Sequence, residues 1–418
     1  MEGGNSWRKG LAETDKGNVS NNVTNVVHVA SNHPFLKDCF AWSEVEEKVM
    51  IMRELPTFKG MKPPRSAVGY PCKLDDKHAI YIRCMLNTVL QCNFKTSDVS
   101  DGLTTIAVQR PYHPIRTYLK SLTWDEHPRL TEWLHRGFGV KPGPLTGSMA
   151  HMFLIAAVRR VIFRRYKFDS MLVLEGPKGI KKSSGIRALY GDEYFLEGVG
   201  DIRREQSSQI LSGMWGVEIP EGKGFLCADA ATQKAFISQV EDTYRRAYAH
   251  HAVSIPRTVT FIMTVNDYSY MIDGAGDRRF WPVRCGEEAM PDIDWIRENR
   301  DQLWAEAFVK ATERNEDGTL RYQTFMEDTE MSALTTEQED RIVTDPWEDI
   351  LREHLYVTAS GIKNITALQI MANVLEIPMD RRDRASQTKI GRIMRDLGWK
   401  RERFRDGDER SYRYVRPQ

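Results

Sequence analysis

The residues best suited to chemistry lie between Ser170 and Ser184, in the stretch SMLVLEGPKGIKKSS. A short apolar run, Met171 to Leu174, ends at Glu175 and Gly176. A loop containing Gly176 and Gly179 then closes on Lys182 and Ser183. A buried strand feeding such a loop lets backbone N–H groups face an anion, while the lysine reaches the outer phosphates and the hydroxyl ligates a divalent ion. A helix starting at the same point adds its positive end. The expected chemistry is binding of a nucleotide's phosphates with Mg²⁺. Gly176, Pro177, Lys178, Gly179, Ile180, Lys181, Lys182, Ser183 and Ser184 form the cradle, and Ser183 is the candidate metal ligand. The spacing G-x-x-x-x-G-K-[ST] is met at Gly176, Lys182 and Ser183, but Lys181 stands where the second glycine belongs. If that position has positive φ, the lysine costs on the order of 1 kcal/mol.

Phosphate chemistry also needs an acid to hold the ion or polarise water. Met214 to Glu221 supplies one on a second strand, with Glu218 flanked by Val217 and Ile219, and Glu221 just beyond. The residues leave open which glutamate does which job. Thr258 to Val265 is a third apolar run, and it ends at Asn266, an amide able to orient water or sense a γ-phosphate. Gly276 to Trp281 brings two adjacent arginines, Arg278 and Arg279. Arginine suits transferring phosphoryl groups because its planar fork stays charged and bonds phosphate bidentately. Arg245 and Arg246 are weaker candidates for that role, and Lys223 is a candidate nucleic-acid contact. The plainer readings are solvated acids, a turn-forming Asn and a surface ion pair.

A separate constellation closes the chain. From Arg381 to Gln418 there are 13 basic and 6 acidic residues. Ile390, Ile393, Met394 and Leu397 share one helical face, and Arg384, Thr388, Arg392 and Arg395 fall on the opposite one. Apolar inside and basic outside is what a helix seated in a DNA groove needs. Arg401, Arg403 and Arg413, on a following hairpin, are expected to meet flanking phosphates. A solvated basic face or a protein-binding module is the alternative.

These residues need elements to carry them. A chain of 418 residues exceeds one core, so several domains are expected. Hydrophobic content of 41% and charged content of 28% are those of an ordinary globular protein, and a net charge of +1 singles out no partner. The six cysteines form no C-x-x-C pair and no cluster with histidine, which argues against a zinc site or disulfide framework and fits a reducing cytoplasm. No apolar run approaching a membrane span and no secretory leader is read, so no membrane partner is expected. The expected organisation is a disordered tail over 1–32, an α-rich N-terminal domain over 33–145, an α/β core over 146–312, a polar linker over 313–345, and a winged helix-turn-helix over 346–418. Strands alternating with helices in the core imply a parallel sheet.

Taken together, the chain resembles the virulence-associated protein E family of phages and mobile elements. The resemblance rests on His113-Pro-Ile-Arg-Thr-Tyr-Leu119 with Leu122-Thr-Trp124 and Pro128-Arg-Leu130; Lys167 to Gly176; Trp215-Gly-Val-Glu-Ile-Pro-Glu221; Lys234-Ala-Phe-Ile-Ser238 with Asp242-Thr-Tyr-Arg245; Asn266; Gly276-Asp-Arg-Arg-Phe-Trp-Pro-Val283; and Asp301-Gln-Leu-Trp-Ala-Glu-Ala307. It runs in order from about residue 105 to 310. It implies an AAA+, superfamily 3 helicase-like P-loop core, ATP at Gly176–Ser183, an acidic second motif at Glu218, a sensor at Asn266 and an arginine finger among Arg278 and Arg279. It also implies a homo-oligomeric, commonly hexameric ring around DNA. The paired-carboxylate palm of the primase domain found upstream in some relatives is not read here. The expectation is therefore an ATP-driven DNA helicase or replication initiator in the cytoplasm of a bacterial host. It would act on single-stranded or forked DNA or an origin, beside a separate primase or polymerase. The alternative is a DNA-binding assembly, regulatory or interference protein whose altered loop does not turn over ATP.

Overall fold

A computed structural model describes residues 6–66, 69–245, 252–268, 270–271, 277–342, 346–358, 361–406 and 409–416. The chain divides into two compact units, 1–268 with 275–340, and 269–274 with 341–418.

The first unit holds two cores. In helix α1 (Val23–Asn32), Val26, Val29 and Ala30 stand at helical spacing and are buried. Asn22 caps the helix by accepting from the Asn25 N–H. Strands β1 (Phe40–Ser43), β2 (Lys48–Ile51), β3 (Cys72–Lys73) and β4 (Pro111–Tyr112) form a sheet in the order β3-β2-β1-β4. Helix α3 (Thr96–Val108) packs on β1 and β2, flanked by α1 and by α2 (Asp76–Leu90). Two expectations are corrected here. From Ser6 onward the expected tail is ordered, because the apolar stripe of α1 is long enough to close this core. The expected α-rich domain is a mixed sheet-and-helix layer, and its core spans Trp7 to Ala107 only.

The second core begins earlier than expected, at Ile115. Helices α4 (Pro114–Ser121) and α5 (Trp133–Phe138) bury Ile115, Leu119, Trp133 and Phe138 in it, against α6 (Pro144–Ile162). Then follow β5 (Met171–Glu175), α7 (Lys182–Tyr190), β6 (Phe195–Glu197), α8 (Glu205–Ile210), β7 (Gly216–Pro220), α9 (Ala230–Ser238), β8 (Glu241–Tyr244), β9 (Val253–Pro256), β10 (Thr260–Val265), β11 (Phe280–Arg284), α10 (Ile293–Thr312) and α11 (Asp328–Glu339). Five strands pair in parallel in the order β11-β5-β10-β7-β6, so the mixed α/β fold with a parallel sheet is what the chain adopts. Every residue of β5 and β10 is buried, which is why both read as continuous apolar runs. Pro282 is tolerated because β11 lies at the sheet edge.

Trp133, Trp215, Trp281 and Trp304 are fully buried, and each indole N–H donates to a backbone carbonyl. Helix α6 is long and apolar enough to cross a bilayer, contrary to the sequence reading. Twelve of its residues, those from Met149 to Val161 except His151, are buried in this core, and it packs along α10. The polar stretch 313–345, expected as a linker, contains α11. Its sequence gives little sign of packing, yet Leu334 and Gln338 are buried, and Gln338 Nε2 donates to the Phe280 carbonyl at 2.7 Å.

In the second unit, α12 (Pro346–Glu353), a short α13 (Ala367–Gln369) and α14 (Arg384–Asp396) pack with a sheet of β12 (Asn364–Ile365), β13 (Lys400–Asp406) and β14 (Glu409–Val415), ordered β12-β14-β13. Its core includes Leu351, Leu355, Ile370, Met371, Ile390, Ile393 and Met394. The segment Ile365–Leu375 is not one continuous helix. Ile365 pairs with Tyr414, Thr366 and Gln369 form a capping box, and the chain continues as a wider turn through Val374.

Candidate functional site

The loop after β5 and the ends of β7 and β10 meet at one edge of the parallel sheet, because β10 pairs with β5 on one side and β7 on the other. Ile262 faces Leu172 and Glu218 in register, and Val265 faces Glu175. The carboxyl ends of parallel strands are where open α/β sheets bind ligands.

Gly176 turns the chain at φ 144°, and a Cβ there would stand 2.8 Å from Ile180 and 3.0 Å from the Cys285 carbonyl. Lys181 sits at φ 67° and ψ 28° as the N-cap of α7, so the loop uses a left-handed residue where a glycine was expected. Lys182 is buried. Its Nζ donates to the carbonyls of Gly176 and Pro177, the latter at 3.1 Å, and lies 3.4 Å from Asn266 Oδ1. Burial pulls its pKa down, and Cys285 and Glu218 oppose that shift. Lys178, Gly179, Lys181 and Ser184 are exposed along the loop and first turn, Ile180 is buried, and Ser183 is half-buried.

Glu218 is fully buried, and its Oε1 accepts from Ser183 Oγ at 2.6 Å and from Thr264 Oγ1 at 2.7 Å. Its Oε2 is buried with no hydrogen-bond partner among the described residues. Burial raises its pKa, and the two hydroxyls pull the other way. A buried carboxylate with two hydroxyl donors on one oxygen, and no cation within ion-pair distance among the described residues, is short of positive charge. Glu221 differs. It is exposed at φ 52° and paired with Lys223 at 2.6 Å, which holds its carboxyl below the usual range. The structure therefore separates two glutamates that the sequence left equivalent: Glu218 faces Ser183 and Glu221 faces solvent. Asn266 is exposed one residue beyond β10.

Arg278 and Arg279 lie elsewhere. They precede β11, whose first residue pairs with Met171, the first residue of β5, and the Met171 N–H donates to the Arg279 carbonyl. They therefore sit at the amino end of the sheet, opposite Lys182 in the same chain. Arg278 is 3.3 Å from Asp169, and Arg279 is 3.4 Å from Asp277. Gly276, Arg246, His250 and His251 lie outside the described residues.

Sequence reasoning missed Thr264, Cys285 and Arg284. Arg284, at the carboxyl end of β11, is 4.0 Å from Glu175 and 3.4 Å from Asp340 and stands over the Tyr268 ring. A hydroxyl inside the apolar run of β10 was the visible signal for Thr264. Nothing local marked Arg284.

In the second unit, Arg384, Thr388, Arg395 and Arg401 line one cavity of about 990 Å³ together with Tyr412 and Lys400. Arg401 stands over the Tyr412 ring, and Arg403 pairs across the hairpin with Tyr412. Arg413 pairs with Glu402, so it lies on the other face of the hairpin, over Phe404. Arg392 is exposed on α14 outside the cavity. The expected basic set thus divides between two surfaces.

A family model described as the virulence-associated protein E-like domain matches residues 119–342. No curated protein matches. Among solved structures, the A-form apo structure of the NrS-1 C-terminal region is similar at 12% identity, over 95% of this chain and 99% of that one, with a TM-score of 0.47. A second apo structure of that region gives 12%, 90%, 95% and 0.46, and a further A-form structure 13%, 90%, 96% and 0.43. At these TM-scores the likeness carries no weight for fold or function.

Proposed function

The chain belongs to the virulence-associated protein E-like family, and on that premise we propose that it is an ATP-dependent DNA helicase or replication initiator of a phage or mobile element. The observation that carries this reading is Glu218: a buried carboxylate with one orphaned oxygen, hydrogen-bonded to Ser183 directly behind the glycine loop. That donor set fits a hydrated magnesium ion on a nucleotide. Lys182 and the N–H groups of residues 178–183 would hold the phosphates, Ser183 and Glu218 the ion, and Asn266 would orient the attacking water. Bound Mg²⁺ supplies positive charge to the phosphate oxygens. Lys182 would exchange its bonds to the Gly176 and Pro177 carbonyls for phosphate oxygens. Arg278 and Arg279, at the opposite sheet edge, suit action on a neighbouring subunit's nucleotide and so favour a ring assembly. The second unit is read as a winged helix-turn-helix that grips DNA through α14 and Arg401.

One observation favours the second reading, a DNA-binding regulator without turnover: Lys181 holds a strained conformation where backbone must approach phosphate. ATP-driven unwinding separates the two. The full chain is expected to displace a strand from a forked duplex only with ATP and Mg²⁺. Glu218→Gln keeps the side chain's shape and is expected to lower that rate by about 100-fold or more. Unwinding equal in the variant, or absent from the wild type, would exclude the helicase reading.

A further inference from the structure

Away from the glycine loop, a cavity of about 330 Å³ lies between the β1–β2 hairpin and the β8–β9 pair. Its wall includes Arg160, which is 2% exposed. The Arg160 Nη atoms donate to the carbonyls of Val259, Phe168 and Gln239. Its Nε has no partner, and no carboxylate among the described residues lies within ion-pair distance of it. A buried guanidinium facing only carbonyls is held at a cost that an anion would offset.

Two of the three acids in the lining, Asp242 and Glu44, are held by arginines; the third is Glu47. Asp242 is held by the buried Arg257, and Glu44 lies 2.9 Å from Arg116 Nη1. Arg116 Nε is a second buried donor without a partner. Arg164 is an exposed guanidinium in the lining, with no ion pair among the described residues. With four arginines (Arg116, Arg160, Arg164 and Arg257) against three carboxylates (Glu44, Glu47 and Asp242), the lining carries a formal net charge of +1. Trp42, Tyr244 and Ile255 form an apolar wall beside it. A volume of about 330 Å³ is at the small end of ligand sites, which run from roughly 300 to 1,000 Å³.

We propose that this cavity binds a phosphate-bearing ligand of mononucleotide size, its phosphate on Arg160 and Arg164 and its ring against Trp42 and Tyr244. Arg164 suits the phosphate because its exposed guanidinium can match it bidentately, Arg160 adds its charge and its Nε–H, and the aromatic wall suits a flat ring. The site is separate from the glycine loop and stands whether or not ATP turns over there.

The test is calorimetric titration of the full chain carrying Lys182→Ala, which weakens nucleotide binding at the loop. The probes are dAMP, deoxyadenosine and inorganic phosphate. dAMP is expected to bind, with the two fragments at least about tenfold weaker, and Arg164→Glu is expected to weaken dAMP by about tenfold or more. Arg164 is exposed, so its reversal leaves folding intact. Arg160→Lys keeps the charge but loses the Nε–H donor, and it is expected to weaken dAMP while the circular dichroism spectrum is unchanged. Absence of dAMP binding, or equal affinity in the Arg164→Glu protein, overturns the proposal.

Discussion

Lys181 holds φ 67° at the start of α7 with its side chain exposed. The left-handed region costs a non-glycine residue roughly 1–2 kcal/mol. Glycine removes that strain but adds unfolded-state entropy of about 0.4–1 kcal/mol. Lys181→Gly is therefore expected to leave stability unchanged or raise it by up to about 1.6 kcal/mol in urea unfolding, where glycine in an ordinary helix interior costs roughly 0.5–1 kcal/mol. A loss above about 1 kcal/mol would mean that the Lys181 side chain makes an interaction worth more than the strain it carries.

Helix α4 shows how an element can carry a titration. His113 caps it, its Nδ1 accepting from the Arg116 N–H at 3.2 Å. Burial, reinforced by Arg116, lowers the His113 pKa from 6.5 to about 3. The folded chain thus binds a proton less readily than the unfolded chain, so this stability is complete above pH 6.5 and is lost as pH falls towards about 3. His113→Asn keeps a capping side chain and removes the titration. Its stability, measured from pH 7 down to about 4, is expected to fall less steeply than that of the wild type. Parallel slopes would mean that His113 charges freely in the folded chain.

Legibility in the sequence follows burial at the same scale. Strands β5, β7 and β10 were readable because both faces are covered, so each reads as a short, mostly apolar run, with Glu218 inside that of β7 and Thr264 inside that of β10. The N-terminal sheet was not, since β3 and β4 are two residues each and carry no period. Helix α11 was missed because only Leu334 and Gln338 of its twelve residues are buried. Lys182, Ser183 and Glu218 could be chosen from spacing, but the difference between Glu218 and Glu221 depends on where β7 ends. The separation of Arg413 from Arg401 depends on hairpin register, which spacing alone does not fix.

At the scale of the whole molecule, the two units offer two kinds of charge. The first presents a buried acid and lysine at one sheet edge and an arginine pair at the other. The second gathers Arg384, Arg395 and Arg401 around one cavity. Replacing those three by Glu is expected to weaken DNA binding and to reduce the salt slope by up to about 3, one unit for each phosphate no longer neutralised. An unchanged slope would remove this face as the DNA-binding surface. If the arginine pair completes a neighbour's site, Lys182→Ala and Arg278→Ala/Arg279→Ala chains are each expected to be inactive alone and to recover hydrolysis when mixed. Mixtures as inactive as their parents would place the arginines outside the reaction.

The most direct measurement is ATP hydrolysis by the full chain, with and without single-stranded DNA, against Lys182→Ala. The expected result is turnover stimulated by DNA in the wild type and reduced by about 100-fold or more in the variant, because the proposed site relies on Lys182, a buried ammonium, to stabilise charge on the phosphates. Wild-type turnover no higher than that of Lys182→Ala would contradict the account.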